Sequence, residues 1–187
     1  MANEPDNLYL VGYRCTGKSS VGRWVADRLK WRFADSDALV ESLAGRTIAE
    51  IVAREGWQGF RSQERAAMIR LCLRSETVVA TGGGVVLNNE NVGDMQRTGW
   101  IVWLRAAPET IAERMRADAQ TDSQRPSLTG APVLSEIAAL IDQRQPLYQA
   151  AAQFAVETDR LSLSDVAQSV VDWFTGKLSN QMDGPHP

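Results

Sequence analysis

Histidine is almost missing from this chain. One occurs in 187 residues, His186, next to last in a polar tail. Imidazole is thereby removed as acid, base or metal ligand inside a folded site, and proton transfer falls to a carboxylate or another group with a shifted pKa. Cysteine is scarce too. Cys15 and Cys72 have no metal-ligand spacing, and no disulfide is expected of a chain read as cytoplasmic. No apolar run reaches the roughly 18 residues of a spanning helix. The opening MANEPDN lacks the basic-then-apolar order of a secretory signal. Net charge is only −3, so no global basic field invites nucleic acid or an anionic membrane. A local anion site stays open, because the 20 Lys and Arg can cluster.

What is present is an ordinary globular balance, 44% apolar and 23% charged, at a length that suits one compact domain. Apolar, β-branched runs alternate with helical-period segments, which argues α/β with a mostly parallel sheet. Strands are expected near 8–11, 32–34, 77–80, 101–104 and 154–156. Helices are expected near 18–30, 38–43, 48–55, 60–74, 88–98, 108–116, 133–151 and 164–178. Thr47 and Glu50 form the T-x-x-E pattern of a capping box, and Pro108 suits a first helical turn. A single domain over 1–178 would then leave 179–187 as a flexible tail. The polar stretch 117–132, ADAQTDSQRPSLTGAP, is too long for a plain turn and reads as a lid or a disordered segment. Trp24 and Trp103 are expected in the core, as large aromatics usually pack.

The strongest signal is GYRCTGKS at 12–19, a match to G-x-x-x-x-G-K-[ST] set between a strand and a helix. In that setting backbone N–H groups cradle phosphate oxygens beside a helix N-terminus. Gly12, Cys15, Thr16, Gly17, Lys18, Ser19 and Ser20 are the candidate ATP contacts. Lys18 would reach the β- and γ-phosphates, and the Ser19 hydroxyl would ligate Mg²⁺. The dinucleotide fingerprint G-x-G-x-x-G is absent here.

A phosphate loop names the donor and leaves the acceptor open. RFADSD places Asp35 and Asp37 at the end of a short strand. If the strand runs through Asp37, both acids face one crevice. One would support the Mg²⁺ shell and the other would meet an acceptor hydroxyl. The competing reading makes Asp37 a helix cap. Arg61 follows Phe60 at a helix start, with Glu64 at i+3 to pair with it. An apolar strand then runs into Gly82, Gly83 and Gly84, a costly run unless backbone must approach a ligand closely.

Taken in order, GYRCTGKS, DSD, GFR, TGGG, QRPSL and QRQPLY resemble the shikimate kinase family over about residues 8–175. The resemblance implies a P-loop, nucleoside-monophosphate-kinase-like fold, a three-layer α/β/α sandwich on a five-stranded parallel sheet of order 2-3-1-4-5 with a mobile lid. It implies ATP-dependent phosphorylation of the shikimate 3-hydroxyl, a step towards aromatic amino acids, with Mg²⁺, in a cytoplasmic and monomeric enzyme. Residue by residue, Asp37 matches the aspartate that binds the shikimate hydroxyls and takes the proton. Asp35 matches the acid that supports Mg²⁺ through water. Arg61 and Arg144 match the pair that grips the shikimate carboxylate, and Gly83 and Gly84 line the substrate. Arg125 matches the lid arginine that closes on the phosphates. Arg114 matches a residue near the adenine, and Arg160 is assigned there with it. Guanidinium forks suit a carboxylate, and an aspartate suits a hydroxyl.

Two departures stand out. The family usually has glycine where this chain has Cys15, so a positive φ there would strain the loop. Ser127 replaces a common leucine in the lid motif. Cys15 is read as an inert small side chain, with a lowered thiol pKa as the alternative. Two other functions compete: a kinase for another carboxylated polyol such as gluconate, and a degenerate nucleotide-binding module whose only support is Cys15.

Overall fold

A computed structural model describes residues 6–117 and 133–182. The expected lid therefore lies outside the described residues except for Ala117, and so do Arg125, Ser127 and His186. Five strands form one parallel sheet: β1 (Asn7–Val11), β2 (Arg32–Asp35), β3 (Thr77–Ala80), β4 (Gly99–Arg105) and β5 (Phe154–Glu157). The order is β2-β3-β1-β4-β5, as the resemblance implies. Among the described residues the helices are α1 (Lys18–Leu29), α2 (Ser36–Ala44), α3 (Ile48–Cys72), α4 (Asn89–Thr98), α5 (Pro108–Ala117), α6 (Val133–Ala151) and α7 (Leu163–Met182).

β1 is central, with Leu10 in register with Ala80 of β3 and Val102 of β4. A strand covered on both faces reads as a continuous apolar run, and Leu8, Tyr9, Leu10 and Val11 are all fully buried. Period-two alternation divides them. Leu8 and Leu10 join Val25 of α1 and Phe174 of α7 on one face. Tyr9 and Val11 join Met68 of α3 and Tyr148 of α6 on the other. These are the three layers. Trp103 packs as expected, stacked on Tyr148 at 5.6 Å, whereas Trp24 is only partly buried against the first core.

α3 carries the expected capping box, with Thr47 N donating to Glu50 Oε2 at 2.8 Å and Thr47 Oγ1 accepting from Glu50 N at 3.2 Å. The two helices expected over 48–55 and 60–74 are present and meet at a kink within α3, where Gly56 leaves the helical region with φ 69° and ψ −179°. That positive-φ, extended conformation is open to glycine and strained for a residue with a Cβ.

One expectation about the acids is corrected. β2 stops at Asp35, and α2 begins at Ser36 rather than Ala38. Strand alternation therefore does not align Asp35 with Asp37. Asp35 is the N-cap, its Oδ1 accepting from Asp37 N at 3.0 Å and Ala38 N at 3.3 Å, and Asp37 sits in the first turn. The cap falls on Asp35, because that carboxylate reaches the orphan N–H groups two and three residues on.

Candidate active site

Parallel strands deliver all their carboxyl ends to one edge of the sheet, where open α/β folds bind ligands. The loop after β1 opens there. Gly12 takes φ 140°, and a Cβ on it would collide with the Leu104 carbonyl. Cys15 has φ 60°, so the strain foreseen for this position is present; a non-glycine residue there costs about 1–2 kcal/mol. Gly17 closes the loop in the left-handed region, and α1 starts with no side-chain cap and no acid in its first turn. Its N–H groups and positive dipole end thus face the cleft uncompeted. The Lys18 ammonium folds back over the loop, donating to the Gly12 and Tyr13 carbonyls at 2.8 and 2.6 Å. Thr16 braces the loop from inside, its hydroxyl donating to the Tyr13 carbonyl at 2.9 Å.

Two adjoining clefts meet at this loop. The larger, about 1140 Å³, is lined by Cys15, Gly17, Lys18, Ser19 and Ser20 on one side and Asp35, Asp37 and Glu41 on the other. Ser19 donates to Asp35 Oδ2 at 2.7 Å, joining the first turn of α1 to the end of β2. The smaller cleft, about 490 Å³, is lined by Trp57, Phe60, Arg61, Glu64, the glycines 82–84 and Arg144.

Arg61 and Arg144 come to the smaller cleft from separate helices, and each is already tethered. Arg61 Nη1 donates to Glu64 Oε2 at 2.7 Å. Arg144 Nη1 donates to the Gly83 carbonyl at 3.1 Å, and the Tyr148 hydroxyl donates to the same oxygen. Burial pushes the Tyr148 pKa up to about 12, against the pull of Arg144, so it stays a donor at neutral pH. Burial likewise raises the Glu64 pKa, with the Arg61 charge opposing it.

The glycine run owes its composition to close approach and not to unusual torsions, since none of its members has a positive φ. A Cβ on Gly84 would strike the Arg61 guanidinium. One on Gly82 would lie 2.7 Å from Asp37 Oδ1 and 2.9 Å from Glu64 Oε1. One on Gly83 would lie 3.3 Å from the backbone nitrogen of Arg14. Gly82 also lends its N–H to the Ser36 hydroxyl at 2.8 Å.

The loop's far flank is held by Arg114. It donates to the Cys15 carbonyl at 3.3 Å, to Thr158 Oγ1 at 3.0 Å and to the Thr158 carbonyl at 2.7 Å. Arg160 is exposed two residues beyond Thr158. Sequence reasoning overlooked Arg14, Glu41 and Trp57 as cleft residues. Arg14 fills a motif position that the phosphate-loop pattern leaves unspecified, and Glu41 and Trp57 reach the clefts only through helix packing.

A lysine-bearing phosphate loop, a carboxylate pair and a two-arginine pocket on a 2-3-1-4-5 parallel sheet define a P-loop kinase for a small acidic acceptor. The chain belongs to the shikimate kinase family: the family model for shikimate kinase matches residues 14–175. It is 44% identical over 166 residues to the shikimate kinase of Symbiobacterium thermophilum, covering 89% of this chain and 94% of that one. It is 38% identical over 168 residues to that of Rhodopirellula baltica, covering 90% of each. The solved shikimate kinase from Acinetobacter baumannii, in complex with shikimate, superposes with a TM-score of 0.86 at 32% identity, covering 94% of this chain and 96% of that one. The activity is ATP-dependent phosphorylation of the shikimate 3-hydroxyl. Among the described residues no helix is long and apolar enough to cross a membrane.

Proposed function

We propose the following division of labour for this phosphoryl transfer. ATP lies along the phosphate loop, its phosphates on the backbone N–H groups from Gly12 to Ser20. Lys18 exchanges its two carbonyl partners for the β- and γ-phosphate oxygens. That exchange suits a charge clamp, because a charge-assisted bond to phosphate is stronger than one to a neutral carbonyl. Arg114 and Arg160 flank the adenine end. Arg125 closes on the phosphates from outside the described residues, excluding water before transfer.

Ser19 and Asp35 would hold Mg²⁺, with Asp35 acting through water. A hydroxyl and a carboxylate already 2.7 Å apart are hard oxygen donors, and the ion binds through one or two such groups plus substrate phosphates. When bound, Mg²⁺ offsets charge on the β- and γ-phosphate oxygens.

Shikimate occupies the smaller cleft. Its carboxylate lies between Arg61 and Arg144, and Gly83 and Gly84 line the ring. Asp37 accepts a hydrogen bond from the attacking hydroxyl and then its proton. The remaining task is alignment, which supplies much of the rate in phosphoryl transfer.

The supporting observation is the junction itself. Lys18 and Asp37 line the larger cleft and Arg61 and Arg144 the smaller, with Gly83 shared by both. A single domain over 1–178, acting as a monomer in the cytoplasm, completes the proposal. A coupled ADP-release assay with shikimate, quinate and gluconate side by side tests the acceptor. Strong preference for shikimate is expected; equal or greater turnover with gluconate would overturn the assignment.

A further inference from the structure

The acceptor cleft holds three guanidiniums, from Arg14, Arg61 and Arg144, against one carboxylate, Glu64. Two of the three suffice for a carboxylate, and both are fixed by neighbours: Arg61 on Glu64, Arg144 on the Gly83 carbonyl. Arg14 differs in two respects. Among the described residues it is the one charged residue that lines both clefts. Its Nε, like that of Arg144, is buried and makes no hydrogen bond in the described structure. It also belongs to the phosphate loop, so its backbone is held in one frame with Lys18.

Its direction is set by packing. The Arg14 guanidinium carbon lies 5.7 Å from the centroid of the Tyr13 ring. That ring is only 4% exposed, packed among Ile111, Ala112, Met115 and Ile137. A cation over a fixed aromatic face is oriented as well as attracted. Arg144 approaches the same ring, at 5.8 Å, so Tyr13 seats one guanidinium of the acceptor cleft beside another.

We propose that Arg14 is a further catalytic residue, one that contacts the phosphoryl group as it leaves the nucleotide cleft and then the phosphate of the ester product. This rests on the acceptor assignment made above. The charge argument is direct. Transfer carries a group of about −2 charge from the larger cleft into the smaller one. Arg61 and Arg144 are occupied by the acceptor's carboxylate, and Lys18 remains with the nucleotide. A cation shared by the two clefts, with a donor still uncommitted, stabilises the group during and after its passage. Such an interaction is stronger in the transition state and product than with the unphosphorylated acceptor, so it acts on kcat more than on acceptor binding.

The experiment compares wild type, Arg14→Met and Arg14→Lys as full chains. It measures kcat, KM for shikimate and the competitive inhibition constant of shikimate 3-phosphate, with thermal unfolding as a fold control. For Arg14→Met, kcat falls by about 10- to 100-fold while the shikimate KM moves by less than about threefold. Affinity for the phosphorylated product weakens by about 10-fold or more, and Arg14→Lys recovers part of both losses. Unchanged kcat in Arg14→Met overturns the proposal. Equal weakening of shikimate and its 3-phosphate also overturns it, since that marks a carboxylate or purely structural role. Wild type that turns over another acceptor and leaves shikimate untouched would show instead that the acceptor assignment had failed, and this proposal with it. If Arg14→Met does not fold, Arg14→Gln takes its place: a lowered kcat with an intact shikimate KM supports the role, and an unchanged kcat overturns it.

Discussion

Gly84 and Arg61 occupy almost the same space: the glycine's missing side chain is where the guanidinium sits. Gly84→Ala should therefore displace Arg61 from its Glu64-tethered position while leaving the sheet intact. The expected outcome is a shikimate KM raised by about 10-fold or more, because small misplacements of a positioning group are costly. Steady-state kinetics at saturating ATP checks it. An unaltered KM would remove Arg61 from the acceptor site.

Ser19 and Asp35 give a separate handle on the metal. Their 2.7 Å hydrogen bond holds both oxygens ready at the nucleotide cleft. Asp35→Asn should raise the Mg²⁺ concentration for half-maximal rate by about 10- to 100-fold, the range seen when a ligand's supporting partner is lost. The variant also keeps a side-chain oxygen for the α2 cap, so stability should change little. A Mg²⁺ dependence identical to wild type would contradict the assignment.

Glu64 makes stability depend on pH. Burial raises its pKa above the ordinary 4.5, and Arg61 opposes without cancelling that rise. The folded chain thus holds this proton more tightly than the unfolded chain. The stabilisation is full below the unfolded pKa and is lost as pH rises through the folded one. Glu64→Gln has no such titration. Its urea midpoint, compared with wild type, should improve as pH rises above the ordinary carboxylate range and level off once pH has passed the raised folded-state pKa. A difference that stays flat with pH would contradict the raised pKa.

Much of this was readable from residue order. The β1 run is apolar without alternation because both its faces are covered; that run was legible as a strand, while its place in the sheet came from the resemblance. The phosphate loop was legible because its chemistry needs glycine, lysine and a hydroxyl at fixed spacing. The acids were legible as a pair, yet their geometry was not. Whether β2 continues through Asp37 depends on Asp35 finding the N–H groups of α2, a local competition that alternation cannot express. The glycines 82–84 showed that backbone comes close to something. That the neighbours include the Arg61, Asp37 and Glu64 side chains depends on how α2 and α3 pack over β3. Arg14 was hidden for a related reason: a motif position open to any residue carries no signal until two clefts are seen to share it.

The central claim is that Asp37 takes the proton of the shikimate hydroxyl as the phosphoryl group arrives. Single-turnover transfer by Asp37→Asn, at saturating ATP and shikimate, tests it most directly. The account predicts a rate lowered by about 10²- to 10⁴-fold in a chain that still folds and still binds ATP. A rate within about twofold of wild type would contradict it, and would leave Asp37 as a residue of the first turn of α2 with no part in the chemistry.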